Sequence, residues 1–350
     1  MSVALITGSS GLVGSESVNF FARKGFEVVG VDNNFRKLFF GVDGDTNWVK
    51  KNLISEFKNY EHLNYDIRNF FKLEKIFKKY KKNIKLIIHS AAQPSHDWAK
   101  ISPNIDFEVN AKGTLNLLRL TSKFCPEATF IFMSTNKVYG DNPNKLKLIE
   151  KKTRYEIKND HRYFKGIDEK MSIDNNVHSF FGVSKSYADL LVQEYGKNIG
   201  LKTACFRAGC ITGPNHSGAK LHGFLSYLVK SSLIKKRYSI IGYKGKQVRD
   251  NIHSSDLIEC FWEFFKKPRR GEVYNTGGGR FSNCSIIEAL NFIQEETGVE
   301  IKKKIGKKNR VGDHIWYISN MKKFKNHFPK WKQKYSTQKI IRELISSINF

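Results

Sequence analysis

The sequence predicts an α/β fold, a doubly wound parallel sheet with a smaller C-terminal lobe. Apolar runs of strand length alternate with helix-period segments up to about residue 210, the pattern of a parallel sheet covered on both faces. A turn with glycines at 8, 11 and 14 joins the first run to the first helical segment, and beyond Cys210 the alternation gives way to longer loops.

Taken in order, "VALIT", "EVVGV", "KLIIHS" and "TFIFMS" read as buried strands, and "KTACFR" follows as a later one. Between them "SESVNFFARK" and "AKGTLNLLRLTSKF" place apolar residues every three or four positions, as crossover helices do. A further helix is expected from about Ser179 to Tyr195, where Leu190, Leu191 and Val192 carry the spacing. Past Cys210, "HGFLSYLVKSSL" reads as a helix, "YSIIGYKGKQVRDNIH" as strand-rich and "GEVYNTGGG" as a strand and turn. The segment "STQKIIRELISSI" predicts a helix capped by Ser336, with its apolar stripe at Ile340, Ile341, Leu344, Ile345 and Ile348. There is no internal repeat and no Pro- or Ser-rich linker, so the elements read as one interlocked unit.

Composition narrows the class. The 350 residues are 40% apolar but contain no uninterrupted apolar run of about 20, so no membrane span is expected. No basic segment precedes the first apolar residues and glycines interrupt them, unlike a secretion signal, so a cytoplasmic protein is expected. The five cysteines (Cys125, Cys205, Cys210, Cys260, Cys284) form no Cys-x-x-Cys pair, which predicts reduced thiols and no metal site. The net charge of +27 is spread along the chain among Asn, Ile and Phe, and reads as a solvated surface with no nucleic-acid partner. The runs "FKKYKK" and "IKKKIGKK" are the places for weak attraction to anions.

The turn "TGSSGLVG" carries the first chemistry. Gly8 permits the tight turn, Gly11 lets backbone approach a pyrophosphate, and Gly14 lets helix and sheet pack closely, with the helix N-terminus facing the phosphates. Ser10, Leu12 and Val13 complete the loop. Asp32, at the end of the second strand in "VVGVDNN", falls where a carboxylate holds both ribose hydroxyls of a dinucleotide, with Asn33 beside it. This is a Rossmann-type arrangement, and the carboxylate favours NAD over NADP because it repels a 2′-phosphate. Arg36 is read as a solvated side chain. Asp66 and Ile67 are expected to end a third strand and touch the adenine.

Beyond these, "DIRN", "HSAAQ", "STNKVYGD", "GVSK", "GKQVRDNIHSSD" and "YNTGGG" occur in an order and spacing that resemble the extended short-chain dehydrogenase/reductases, the nucleotide-sugar epimerases and dehydratases. The resemblance covers roughly residues 3 to 335. Within that superfamily "STNKVYGD", "RYE", "GKQVRDNIH" and "NTGGG" look most like the CDP-paratose 2-epimerase (CDP-tyvelose epimerase) group. It implies an NAD-dependent isomerase of a nucleotide sugar with no net redox change: hydride leaves a sugar carbon, a keto-sugar turns its other face, and the hydride returns. It also implies a homodimer through a four-helix interface and a place in cell-surface polysaccharide synthesis. Residues 1–210 with 248–280 become the NAD-binding domain, and 211–247 with 281–350 the nucleotide-sugar lobe.

The same resemblance assigns roles. Thr135 completes the hydrogen-bond set around the reacting hydroxyl, Lys185 binds the nicotinamide ribose, and Ala91 lines the cofactor. Gln93, Asn136 and His216 fall on the substrate side, and Arg249 and Arg310 match positions that clamp a pyrophosphate, a task for a planar guanidinium. Dehydratases of this family resemble "TDE" where this chain has Asn136 and Lys137 after Thr135, and an amide with an ammonium cannot serve as their acid and carboxylate.

One departure stands out. Where the family has Tyr-x-x-x-Lys, the stretch "HSFFGVSK" places Phe181 four residues before Lys185. The usual proton acceptor is missing. On a helix Tyr187 points about 200° away from Lys185, and Tyr195 lies about 21 Å along the axis from Phe181, so neither replaces it by a slip. Candidates are the pair His96 and Asp97 in "QPSHDWA" and Cys210, ahead of His216 and of His178 at the helix entrance. Besides an epimerase, two readings stay open: another NAD-dependent nucleotide-sugar oxidoreductase, or a non-catalytic protein that binds NAD or a nucleotide sugar.

Overall fold

In the computed structural model, residues 2–216, 223–306 and 312–347 are described. The chain divides into two compact units, Met1–Val138 with Phe180–Arg207 and Ile258–Tyr274, and Tyr139–Ser179 with Ala208–Leu257 and Asn275–Phe350.

The first unit is built on a seven-stranded sheet. Its strands are β1 (Val3–Thr7), β2 (Glu27–Val31), β3 (Tyr60–Leu63), β4 (Ile84–His89), β5 (Thr129–Thr135), β6 (Lys202–Ala208) and β7 (Glu272–Thr276). They lie in the order β3-β2-β1-β4-β5-β6-β7. Pairing from β3 through β5 is parallel. Such strands carry side chains into a core on each face, which is why "VALIT" is buried at every position. The order reverses between β1 and β4, and in open sheets of this kind ligands bind at that switch point, beyond the strands' carboxyl ends.

Helices α1 (Leu12–Arg23), α2 (Asn47–Glu56), α3 (Phe70–Tyr80), α4 (His96–Ile101), α5 (Pro103–Phe107), α6 (Gly113–Phe124) and α7 (Phe180–Lys197) supply the crossovers, with α8 (Ser254–Lys266) later in the chain. One core joins Leu5, Val29, Ile87 and Phe130 from the strands to Leu73, Phe77, Leu117 and Ala188 from the helices. Burying one such large aliphatic or aromatic side chain stabilises the fold by roughly 1.5–3 kcal/mol.

Three details differ from expectation. Helix α1 begins at Leu12, inside the glycine motif, because Gly11 is its N-cap. The long helix expected from residue 111 is preceded by a π-helical turn, Glu108–Lys112, which adds a residue and moves Asn110 inward. Strand β3 stops at Leu63, so Asp66 and Ile67 lie in the loop beyond it.

The second unit has short strands. Val248–His253 is the centre of a four-stranded sheet, antiparallel to Asn283–Ser285 and parallel to Trp316–Tyr317 and Cys210–Thr212. Helices Phe224–Leu233, Ile286–Thr297 and Thr337–Ser347 share a core through Leu228, Val229, Ile293, Ile341 and Leu344. Ser285 and Glu288 form a reciprocal capping box, and Ser336 accepts from the Lys339 N–H at 3.3 Å. Ile348 lies outside the described residues. Among the described residues no helix is long and apolar enough to cross a membrane.

Candidate active site

The turn between β1 and α1 is shaped by backbone contact. Gly8 has a φ of +72°, and a Cβ there would stand 2.7 Å from the Ala91 nitrogen. A Cβ on Gly14 would stand 1.9 Å from the Gly8 carbonyl oxygen. Only glycine lets helix, turn and the segment that follows β4 come this close. Gly11, Leu12 and Val13 open the helix, leaving first-turn N–H groups for an anion. The Ser10 hydroxyl is buried in the turn with no hydrogen-bond partner among the described residues.

Asp32 closes this end. One carboxylate oxygen accepts from the Ser10 N–H at 3.0 Å and the other from the Asn34 N–H at 2.7 Å. Burial raises its pKa, and the two backbone N–H groups work against that rise. Asn33 donates to Asp66 at 3.2 Å, so two expected cofactor residues meet. Asp66 also receives Arg68 at 2.7 Å; burial pushes its pKa up, but the Arg68 hydrogen bonds outweigh it and the pKa falls. Arg36 is not a solvated side chain: it lies 4.7 Å over the Phe40 ring, and burial lowers its pKa to about 10.

The other end gathers at the carboxyl ends of β4 and β5. The Lys185 ammonium donates to the Met133 carbonyl at 2.7 Å and sits 4.1 Å over the Phe132 ring. Burial lowers its pKa to about 8, while Asp189, then Cys205 and Asp106, act in the opposite direction. Thr135 ends the same strand, two residues past Met133, and its hydroxyl accepts from the Lys137 N–H at 3.2 Å. Asn136 is buried beside it.

His89, at the end of β4, is locked beneath. Its Nδ1 is 2.8 Å from the Thr7 hydroxyl and its Nε2 is 2.9 Å from the Thr114 hydroxyl. Thr114 donates to the Asn110 carbonyl at 2.6 Å, so it accepts from an Nε2–H, and Nδ1 accepts from Thr7. Burial, with Lys185 adding to it, lowers this histidine to about 3 and keeps it neutral.

Phe181 is 7% exposed, and its ring stands 4.9 Å from that of His96 at an interplanar angle of 60°. Thus the structure sets His96 against the ring that occupies the motif position four residues before Lys185. His96 follows Ser95, whose hydroxyl caps α4 by accepting from the Trp98 N–H at 3.3 Å. Gln93 holds that loop, exchanging hydrogen bonds with Ser95 and donating to Asp106 at 2.8 Å. Asn110 then donates to Asp106 at 3.0 Å and to the Ser184 hydroxyl at 3.1 Å. Burial raises the Asp106 pKa, against the bonds from Ser184 and Gln93.

Asp106, Asn110, Ser184 and His89 were not singled out from the sequence. A π-helical turn has no periodic signal, and only the polar spacing Asp106-x-x-x-Asn110 hints at an inward face. Among the remaining sequence candidates, Asp97 lies next to His96 in the first unit, whereas Cys210, His216 and Arg249 belong to the second. Cys210 opens the strand beside Asn251, His216 lies 3.3 Å from the Ser226 hydroxyl, and Arg249 donates to the Val248 carbonyl at 2.9 Å. His178 contacts the Ile173 carbonyl at 2.9 Å. Arg310 lies outside the described residues. Among the described residues no cluster of His, Cys, Asp and Glu could hold a metal.

The chain is similar to the CDP-paratose 2-epimerase of Salmonella typhi, 28% identical and covering 97% of each chain. It is similar to the UDP-glucuronate 4-epimerase of Thermodesulfobacterium geofontis, 25% identical over 99% of this chain and 96% of the relative. In fold it resembles the solved UDP-glucuronic acid 4-epimerase of Bacillus cereus in complex with UDP-glucuronic acid and NAD. That match has a TM-score of 0.77 and 21% identity, and covers 99% of this chain and 98% of the other. Residues 4–277 match the NAD dependent epimerase/dehydratase family, and the chain belongs to it.

Proposed function

We propose that this chain epimerises a nucleotide-activated sugar, most like a CDP-linked paratose, through a transient keto-sugar. The observation that carries the reading is the shared anchorage of Lys185 and Thr135: the ammonium is bonded to Met133, two residues before the threonine on β5. A chain that merely kept the fold has no use for a buried ammonium whose pKa is driven down to about 8.

The residues fit NAD. The Gly8, Gly11 and Gly14 turn, with Ser10, Leu12 and Val13, would take the pyrophosphate, and Asp32 with Asn33 the adenosine ribose. Asp66, Ile67 and Ala91 would line the adenine and the middle of the cofactor, and Lys185 would take the nicotinamide ribose. When bound, NAD accepts a hydride from the sugar carbon and gives it back. The chain's own part is to hold the sugar hydroxyl: Thr135 hydrogen-bonds its oxygen, and the Lys185 charge favours the oxygen as its proton leaves.

Gln93, Asn136, Cys210, His216, Arg249 and Arg310 are proposed on the substrate side. Asn136 and Lys137 supply no acid and carboxylate pair, which favours epimerisation over dehydration. Residues 1–210 with 248–280 act as the cofactor domain and the rest as the sugar lobe. A second copy is the proposed partner of α7, whose outer face exposes Phe180, Val183, Tyr187 and Leu190 at helical spacing, with Phe107 5.9 Å from Tyr187. Light scattering should give a dimer, and Tyr187→Glu a monomer; a monomeric native chain excludes this interface.

The experiment on function is direct. Protein supplied with NAD should interconvert CDP-paratose and its 2-epimer, followed by NMR, without accumulating NADH. Phe181 favours a second reading, a protein that binds NAD and nucleotide sugar without turnover. Retained NAD with no conversion of CDP-, UDP- or dTDP-sugars would establish it.

A further inference from the structure

We infer that His96 is the proton acceptor that replaces the missing phenol, an assignment that rests on the epimerase reading above. The aromatic place on α7 is still filled, since Phe181 is buried and four residues before Lys185. What has changed is that its ring has no oxygen, and the imidazole stands against it, with ring centroids 4.9 Å apart. Imidazole nitrogens lie about 1 Å from their ring's centre, so a His96 nitrogen comes within van der Waals reach of the Phe181 ring, the ring that stands where the motif phenol would be.

The exchange is chemically reasonable. A phenol titrates near 10 and needs a neighbouring cation to act as a base near neutrality, whereas imidazole titrates near 6.5 unaided. With histidine as acceptor, Lys185 is relieved of tuning a phenol and keeps only its cofactor and charge roles. The surrounding elements carry Asp97 and Lys100 on α4, Asp106 on α5, and Lys185, Asp189, Glu194 and Lys197 on α7. Position is fixed from behind: Ser95 caps α4, and Gln93 ties Ser95 to Asp106 and so to Asn110. A base held on a cap that is itself tied into a buried polar network loses little entropy when the substrate arrives.

The step balances as follows. The sugar O–H bond breaks and its proton passes to a neutral imidazole nitrogen of His96, while the carbinol C–H bond breaks and its electron pair leaves with hydrogen as hydride to the nicotinamide. A C=O bond forms. On the return, hydride adds to the opposite face of that carbonyl, and the imidazolium gives its proton back to the oxygen. Histidine and cofactor end as they began.

The test compares the native chain with His96→Gln, Phe181→Tyr and the double variant, measuring kcat, KM, the pH profile of kcat/KM and the NAD retained through gel filtration. His96→Gln should lower kcat by about 10²–10⁴-fold, leave KM within about threefold, and remove the acid limb of the profile. NAD retention should be unchanged. Adding Phe181→Tyr to His96→Gln should recover at least about tenfold in kcat, with a limb set by the phenol. In the native chain the ¹⁵N signal of His96 should titrate between pH 5 and 8 and shift when the CDP-sugar binds. The assignment is overturned if His96→Gln keeps kcat within threefold, keeps the acid limb, or loses NAD together with activity. A native chain that retains NAD but converts no nucleotide sugar sinks the epimerase reading itself; one that converts sugar equally well without His96 sinks this assignment alone.

Discussion

The two ends of the site in the first unit are specified differently. At the β1–α1 turn, backbone meets backbone: Gly8 lies against Ala91, and Gly14 against Gly8. At the carboxyl ends of β4 and β5, side chains carry the arrangement: Lys185 on Met133, His89 between two threonines, Phe181 against His96. A backbone-defined cradle accepts almost no substitution, but it also performs no chemistry. A side-chain-defined site can exchange one reacting group for another while its frame stays in place. That contrast explains how the motif phenol can be absent beside an intact glycine turn.

The contrast breaks most sharply at Gly14. In Gly14→Ala the new methyl meets the Gly8 carbonyl oxygen and carbon and the Ser9 Cα, all backbone atoms that no rotamer change can move. Helix α1 must then shift away from the turn. We expect at least about 2 kcal/mol of destabilisation, as for other overpacked sites. NAD affinity should fall by more than about 100-fold, because both the N–H groups and the helix N-terminus leave the phosphates. Isothermal titration with NAD and urea unfolding measure the two effects. An alanine variant that binds NAD within threefold of the native chain removes the claim that this end is set by close backbone approach.

The same difference governed what the sequence revealed. "VALIT" and "EVVGV" match β1 and β2 residue for residue, since an unbroken apolar run between turn signals has few alternatives to a central strand. The glycine turn was legible for a related reason: Gly8 and Gly14 are demanded by local geometry. Asp66 was placed on a strand that ends three residues earlier, because β3 is the edge strand and edge positions lack the two-sided burial that makes a strand obvious. The π-helical turn at Glu108–Lys112 was invisible, as one added residue disturbs a 3.6-residue period without announcing itself. Nor does any sequence spacing report the contact between His96 and Phe181, which exists only after α4 and α7 pack together. His96 was legible as a candidate by its chemistry; its neighbour was not.

The smaller test concerns the buried ammonium at the side-chain end. Lys185 is pushed from 10.5 down to about 8 by burial, a penalty of about 3 kcal/mol on the charged form. Its folded pKa lies below its unfolded one, so between pH 8 and 10.5 the unfolded chain binds more protons and stability rises with pH; below pH 8 the penalty is fully present. Lys185→Met keeps the length of the side chain and removes the charge, but leaves the Met133 carbonyl without its donor, which costs about 1 kcal/mol. The variant should therefore be more stable than the native chain by about 2 kcal/mol at pH 7, and the gain should vanish by pH 10. NAD retention and turnover should fall at both pH values. Urea midpoints at pH 7 and pH 10 decide the matter, because the difference between the two proteins cancels every other titrating group. If methionine destabilises at pH 7 as much as at pH 10, then the ammonium is stabilised where it lies, and Lys185 is part of the frame of this site.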